Sequence, residues 1–83
     1  MNDFEKPNLR LKKLVIEVVE NQMRMNEPPI TNQTYNRLIK ESNSEVLAKE
    51  KIASVALEHI YYVMHDGKAF DEEKYTVDLN AIK

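Results

Sequence analysis

The 83-residue sequence contains no cysteine, no tryptophan and a single glycine, Gly67. The lack of cysteine excludes disulfide bonds and thiolate metal ligands, and it leaves the redox compartment unconstrained. One glycine is too few for the glycine-rich phosphate loops of P-loop or dinucleotide-binding proteins. The chain also lacks any apolar run approaching 18 residues, and its first residues, MNDFEKPN, are polar. We therefore expect neither a transmembrane helix nor a secretory signal, and we predict a cytoplasmic protein.

Composition indicates one small globular domain. Hydrophobic residues make up 42% and charged residues 31% of the chain, which argues against disorder. We predict a single domain over residues 1–83, with residues 1–6 flexible. The formal charge of −2 is not that of a typical nucleic-acid-binding domain, which carries a clearly basic face. We therefore expect no nucleic acid and no membrane as a partner.

Hydrophobic periodicity predicts an all-α fold. Apolar residues recur every three or four positions over most of the chain, which is the spacing of a buried helix face. This periodicity predicts a compact bundle of four helices, two long and two short. They cover approximately residues 7–25, 32–41, 45–65 and 72–82.

The predicted helix boundaries depend on residues that favour helix ends. Thr31, Ser44 and Asp71 precede the second, third and fourth helices, and their side-chain oxygens suit the N-cap position. Asn43 is expected to take the left-handed conformation that ends the second helix, and Gly67 the same role after the third.

The segment EHIYYVMHD, residues 58–66, concentrates side chains that suit metal binding or proton transfer. His59 and His65 are six positions apart, which on a helix means about 120° around the axis and about 9 Å along it. They cannot chelate one ion, since helical ligand pairs are spaced by three or four residues. We interpret the segment as the end of an ordinary helix, with His65 near the negative end of the dipole. One of Tyr61 and Tyr62 is expected to pack inward.

The sequence contains no recognisable catalytic, cofactor or metal-binding motif. Its paired acids Glu72 and Glu73 belong to a first helical turn, where negative charge is stabilising. Residues 34–55 have the layout of a helix-turn-helix, but Glu45 and the aliphatic residues after it do not suit base recognition. We predict that the protein is not an enzyme and has no cofactor.

Residues 28–79 resemble a group of small bacterial helical proteins of no assigned function. The shared form is a PP-containing loop, a Tyr-x-x-Leu helix, a long alanine-rich helix and a Phe-Asp-x-x-x-Tyr element. The matching positions are Pro28, Pro29, Tyr35, Leu38, Ala48, Ile52, Phe70, Asp71 and Tyr75. Asn43 departs from the glycine expected before the long helix. The resemblance implies a bacterial, cytoplasmic protein and supplies no catalytic residues.

The first helix has more apolar residues than a single buried stripe requires. Either the surplus is a partner interface, with Ile16, Met23 and Val19 as candidate interface residues, or the short helices cover it. The leading hypothesis is a non-catalytic helical domain for protein interaction or self-association. A homodimer is one form that self-association could take. The alternative is a nucleic-acid-associated regulator that uses a basic N-terminal cluster. That cluster consists of Lys6, Arg10, Lys12 and Lys13.

Overall fold

The computed structural model describes residues 9–83, with side chains from residue 10 onward. Within this range it contains four α-helices and no β-strand. The helices are α1 (Leu9–Met25), α2 (Pro29–Lys40), α3 (Glu45–Asp66) and α4 (Glu72–Asn80). The predicted all-α bundle of two long and two short helices is therefore confirmed. The predicted start of the first helix at residue 7 and the predicted flexibility of residues 1–6 lie outside the described residues.

The central helix is α3, which packs against each of the other three. Helix α1 runs antiparallel to it, since Leu11 lies near Leu57 while Glu20 pairs with Lys49. Helix α2 packs against α1 and α3, and α4 packs against α2 and α3. Helices α1 and α4 meet through the hydrogen bond from the Tyr75 hydroxyl to Gln22.

The core contains ten buried apolar side chains, drawn from all four helices. They are Val15, Val19, Ile30, Leu38, Ala48, Ile52, Ala53, Ala56, Tyr75 and Leu79. Burying a large aliphatic or aromatic side chain stabilises a fold by roughly 1.5–3 kcal/mol. The three alanines all belong to α3, where their small side chains allow neighbouring helices to come close.

Two of the three predicted N-caps are confirmed. The hydroxyl of Ser44 accepts a hydrogen bond from the backbone N–H of Leu47 at 3.1 Å. The carboxylate of Asp71 accepts one from the backbone N–H of Lys74, also at 3.1 Å. Both interactions satisfy N–H groups that the first turn of a helix leaves unpaired.

The predicted cap at Thr31 is wrong. Helix α2 begins three residues earlier than predicted, at Pro29, with Pro28 in the cap position. A proline suits the first helical position because its missing N–H would have no partner there. Thr31 thus lies inside the first turn and is fully buried, and its hydroxyl donates to the side chain of Gln22.

The predicted left-handed residue at the end of α2 is also misplaced by one position. Ser42 has the positive φ, +74°, and its N–H donates to the carbonyl of Ile39. Asn43 instead donates to the carbonyl of Leu38, through both its backbone N–H and its side-chain amide. Asparagine thus ends the helix by hydrogen bonding. Gly67 does take the predicted conformation, with φ +66°.

Two substitutions at these positive-φ sites are expected to have opposite effects. Ser42→Gly should raise the free energy of unfolding by about 0.5 kcal/mol, because glycine reaches this conformation without strain. Gly67→Ala should lower it by about 1 kcal/mol, although the added methyl group has open space. Urea denaturation measures both. Ser54→Gly, within α3, is the control and should lower the free energy of unfolding. A similar decrease for Ser42→Gly would contradict the prediction.

Candidate functional site

An apolar groove lies between the first half of α1 and the middle of α3. Its volume is about 350 Å³. It is lined by Leu11, Lys12, Val15, Ile16, Glu50, Ala53, Ser54 and Leu57. Six of these eight side chains are neither acidic nor basic, so the groove suits an apolar group rather than an ion.

The groove exists because α3 has small side chains where it faces the start of α1. Val15 and Ala53 are 4% and 7% exposed and form part of the core beneath the groove. Leu11 and Leu57 are 39% and 37% exposed and lie above them. A larger side chain at position 53 or 54 would occupy this space.

Charges of both signs border the groove. Lys12 Nζ lies 2.5 Å from Glu50 Oε2, and Lys49 Nζ lies 3.0 Å from Glu20 Oε2. The hydrogen bond to Glu20 raises the pKa of the Lys49 ammonium group, which therefore stays charged. A smaller hollow of about 250 Å³ continues along these residues and shares Ile16 with the groove. The border is close to neutral, and it favours neither anions nor cations.

The groove face of α3 continues beyond the groove as an exposed apolar stripe. Leu57, Tyr61 and Met64 are spaced by four and three residues and are 37%, 57% and 80% exposed. At 100° per residue, they fall within a narrow sector that also contains Ala53 and Ser54. We call the groove together with Tyr61 and Met64 the α1–α3 surface. Helix α1 covers one half of this face of α3, and no described residue packs over the other half.

Tyr61 and Tyr62 do not behave as predicted. Both rings are exposed, Tyr61 at 57% and Tyr62 at 42%, so neither packs into the core. Tyr61 stacks on His65 with ring centroids 5.2 Å apart, and Lys74 Nζ lies 5.3 Å from the Tyr62 ring centroid. The prediction was wrong because neither ring lies on the buried face of α3, which contains Ile52, Ala56 and His59.

The three predicted interface residues lie in different environments. Val19 has no exposed surface and belongs to the core, so its assignment to an interface is wrong. Its position on the inner face of α1, four residues after Val15, explains the burial. Met23 and Ile16 are partly buried against the core. Of the three, Ile16 lines the groove.

Sequence reasoning missed exposed apolar residues on both long helices: Leu14 and Met25 on α1, and the stripe on α3. The spacing Ser54, Leu57, Tyr61, Met64 is a signal that could have indicated them, since a 3-4-3 repeat is typical of helix–helix contacts. It was hidden because α3 is apolar on several sides. Which of those sides is covered depends on the neighbouring helices.

His59, which belongs to the segment interpreted as the end of an ordinary helix, is a buried residue that connects two helices. It is 4% exposed, and its Nε2 lies 2.7 Å from Asp78 Oδ2 of α4. Its ring also contacts those of Tyr75 and Phe70, at centroid distances of 5.2 and 6.0 Å. His65 is exposed and lies 3.1 Å from Asp66 instead. Between residues 9 and 83, no group of three histidine or acidic side chains is placed to hold a metal ion.

A second buried polar cluster joins α1, α2 and α4. The side-chain oxygen of Gln22 accepts hydrogen bonds from the Thr31 hydroxyl at 2.8 Å and the Tyr75 hydroxyl at 3.0 Å. Thr31 and Tyr75 have no exposed surface, so a substrate cannot reach either hydroxyl. Burial raises the pKa of Tyr75, although its hydrogen bonds to Thr31 and Gln22 act in the opposite direction. The cluster holds helices together and has no access for chemistry.

The basic N-terminal cluster is described only in part. Lys6 lies outside the described residues. Arg10, Lys12 and Lys13 are exposed, and Lys12 is paired with Glu50. This pairing reduces the net positive charge that the cluster presents.

No protein-family model, curated protein or solved structure is detectably similar to this chain. The resemblance to small bacterial helical proteins therefore stays a prediction. Each helix found between residues 9 and 83 is too short or too polar to cross a bilayer.

Two threonine substitutions in α2 are expected to differ in sign. Thr34 is buried, and its hydroxyl has no hydrogen-bond partner among the described residues, so Thr34→Val should raise the free energy of unfolding by about 1 kcal/mol. Thr31→Val removes the bond to Gln22 and should lower it by about 1 kcal/mol. Chemical denaturation compares the two. Equal changes in the free energy of unfolding would contradict the assignment of a hydrogen bond to Thr31 and none to Thr34.

The Tyr75 hydroxyl should make the fold sensitive to alkaline pH. Because its pKa is higher in the folded than in the unfolded chain, its contribution is complete below about pH 10 and is lost as pH rises further. Tyr75→Phe should lower the free energy of unfolding by about 1 kcal/mol at pH 7, through loss of the bond to Gln22. It should also flatten the decline above pH 10. Urea denaturation from pH 7 to 11 measures both effects, and an unchanged alkaline slope would contradict them.

Proposed function

We propose that this protein is a non-catalytic interaction domain that binds an amphipathic helix of a protein partner on the α1–α3 surface. The observation that carries this proposal is the α3 stripe, which enters an apolar groove at Leu57 and continues exposed through Tyr61 and Met64. We further propose that it acts in the bacterial cytoplasm, as the sequence resemblance implies.

The shape of the surface supports a helix as the ligand. A helix that docks in a groove presents apolar side chains at three- and four-residue spacing. The stripe on α3 has that same spacing, so its side chains can pack between those of a second helix lying along it. The groove beside Leu57 has room for a large apolar side chain.

The charges around the groove support a protein partner rather than a nucleic acid. Lys12 and Glu50 form one ion pair at its edge, and Lys49 and Glu20 form another. Nucleic-acid binding requires cationic groups that are free to neutralise phosphates. A partner helix with both acidic and basic side chains matches this border better.

The burial of the polar side chains supports a non-catalytic role. His59 and Tyr75 are the members of the inner clusters with chemistry suited to proton transfer, and both are almost completely buried. General acid–base catalysis requires contact with the substrate. Their hydrogen bonds are also already used between helices.

Photo-cross-linking tests the proposed surface. A photoreactive residue at position 61, in full-length protein expressed in its native cell, should cross-link to a protein. Adding Met64→Lys should reduce the yield at least about tenfold, because a charge at the centre of an apolar contact is costly. Mass spectrometry identifies the cross-linked chain.

Val77→Lys provides the matched control. Val77 is 65% exposed on α4 and lies outside the α1–α3 surface. Its substitution should leave the cross-link yield unchanged. No cross-link from position 61, or equal loss in both variants, would contradict the proposal. Thermal denaturation should show that both variants keep the parent melting temperature.

A further inference from the structure

We infer that the helix bound on the α1–α3 surface is α3 of a second copy of this chain, arranged antiparallel about a two-fold axis near Tyr61. Met64 of each copy then enters the groove of the other. This inference rests on the proposed docking surface and names its occupant.

The apolar stripe on α3 is complementary to itself when one copy is reversed. Leu57 lies four residues before Tyr61, and Met64 lies three residues after it. An antiparallel pair centred on Tyr61 therefore places Leu57 of each copy opposite Met64 of the other, and the two tyrosines side by side. Such contacts are isologous, which is the form that most homodimer interfaces take.

The charges beside the stripe fit the same arrangement. Glu58 and His65 are both exposed and lie on one flank of it, about 80–100° from Leu57 around the helix. In the antiparallel pair that flank faces the same flank of the second copy, so each Glu58 lies opposite a His65. A parallel pair would place the two flanks on opposite sides of the interface. Asp66, whose Oδ1 lies 3.1 Å from His65 Nδ1, is next to this contact.

The groove offers a place for the side chain that is otherwise most exposed. Met64 is 80% exposed, the highest value among the large hydrophobic side chains of the described residues. In the antiparallel pair it reaches the second copy next to Leu57, at one end of the groove. Methionine is flexible and polarizable, so it fits irregular apolar spaces of this kind.

The size of the contact indicates a weak dimer. The stripe from Ser54 to Met64 is about 16 Å long at 1.5 Å per residue. Such a contact buries less than the roughly 800 Å² per partner of a standard interface. We therefore expect a dissociation constant in the micromolar range or weaker, with dimer present only at high protein concentration.

Sedimentation equilibrium on the full chain, from about 5 to 500 μM, tests the inference. The parent protein should show a concentration-dependent monomer–dimer equilibrium. Met64→Lys should weaken dimerisation at least about tenfold, while Val77→Lys should leave it unchanged. All these side chains are well exposed, so each variant should keep the parent melting temperature.

A charge exchange tests the antiparallel arrangement. At low salt, His65→Glu should weaken the dimer, because it places a second carboxylate opposite each Glu58 across the interface. Adding Glu58→Lys to this variant should restore dimerisation, because opposite charges then face each other. Failure of this restoration would overturn the antiparallel arrangement.

The outcomes separate this inference from the proposed function. A strict monomer at 500 μM would overturn the second copy as occupant. If position 61 then cross-links to a different protein, the proposed docking function stands and the inference fails. If deletion of residues 1–8 shifts the Met64 methyl NMR signal of such a monomer, the chain's own N-terminus is the occupant, and the inference fails. A dimer that Met64→Lys leaves intact would also overturn it.

Discussion

The close packing of the other helices around α3 is the constraint on which the rest of the structure depends. Ala48, Ala53 and Ala56 are almost completely buried along this helix, and Ile52 lies among them with no exposed surface. Small side chains allow two helix backbones to approach while interior packing stays dense. Among the described helices, α2 and α3 each contact all the others, and α3 is the longer of the two, so a change in its packing would affect the whole bundle.

The same central position explains where the exposed apolar surface lies. Within the described residues, α3 has 22 residues and α4 has 9. At 1.5 Å per residue, α3 is longer than α4 by about 20 Å. Helix α4 packs on the side of α3 that contains His59, and the stripe with Tyr61 and Met64 lies on another side. The exposed apolar stripe therefore lies where neither α4 nor the described part of α1 packs against α3.

The polar side chains best suited to proton transfer stabilise the fold instead. Gln22 accepts hydrogen bonds from the hydroxyls of Thr31 and Tyr75, and Asp78 is hydrogen-bonded to His59. Both clusters therefore connect helices that are distant in sequence. Buried hydrogen bonds of this kind also favour one arrangement of the bundle, because any other would leave polar groups unpaired. The proposed docking site is on the exterior instead, where apolar groups predominate on the α1–α3 surface.

The sequence by itself determined the number and type of the helices, and the helix ends at Ser44, Asp71 and Gly67. These features depend on periodicity and on contacts within a few residues along the chain. Only the tertiary structure decided the surroundings of Thr31, which is buried and donates its hydroxyl to Gln22 on another helix. It also decided that Val19 is buried while Tyr61 and Met64 are exposed. Periodicity shows which residues share a face of a helix, but which face is covered depends on the lengths and directions of the helices packed against it.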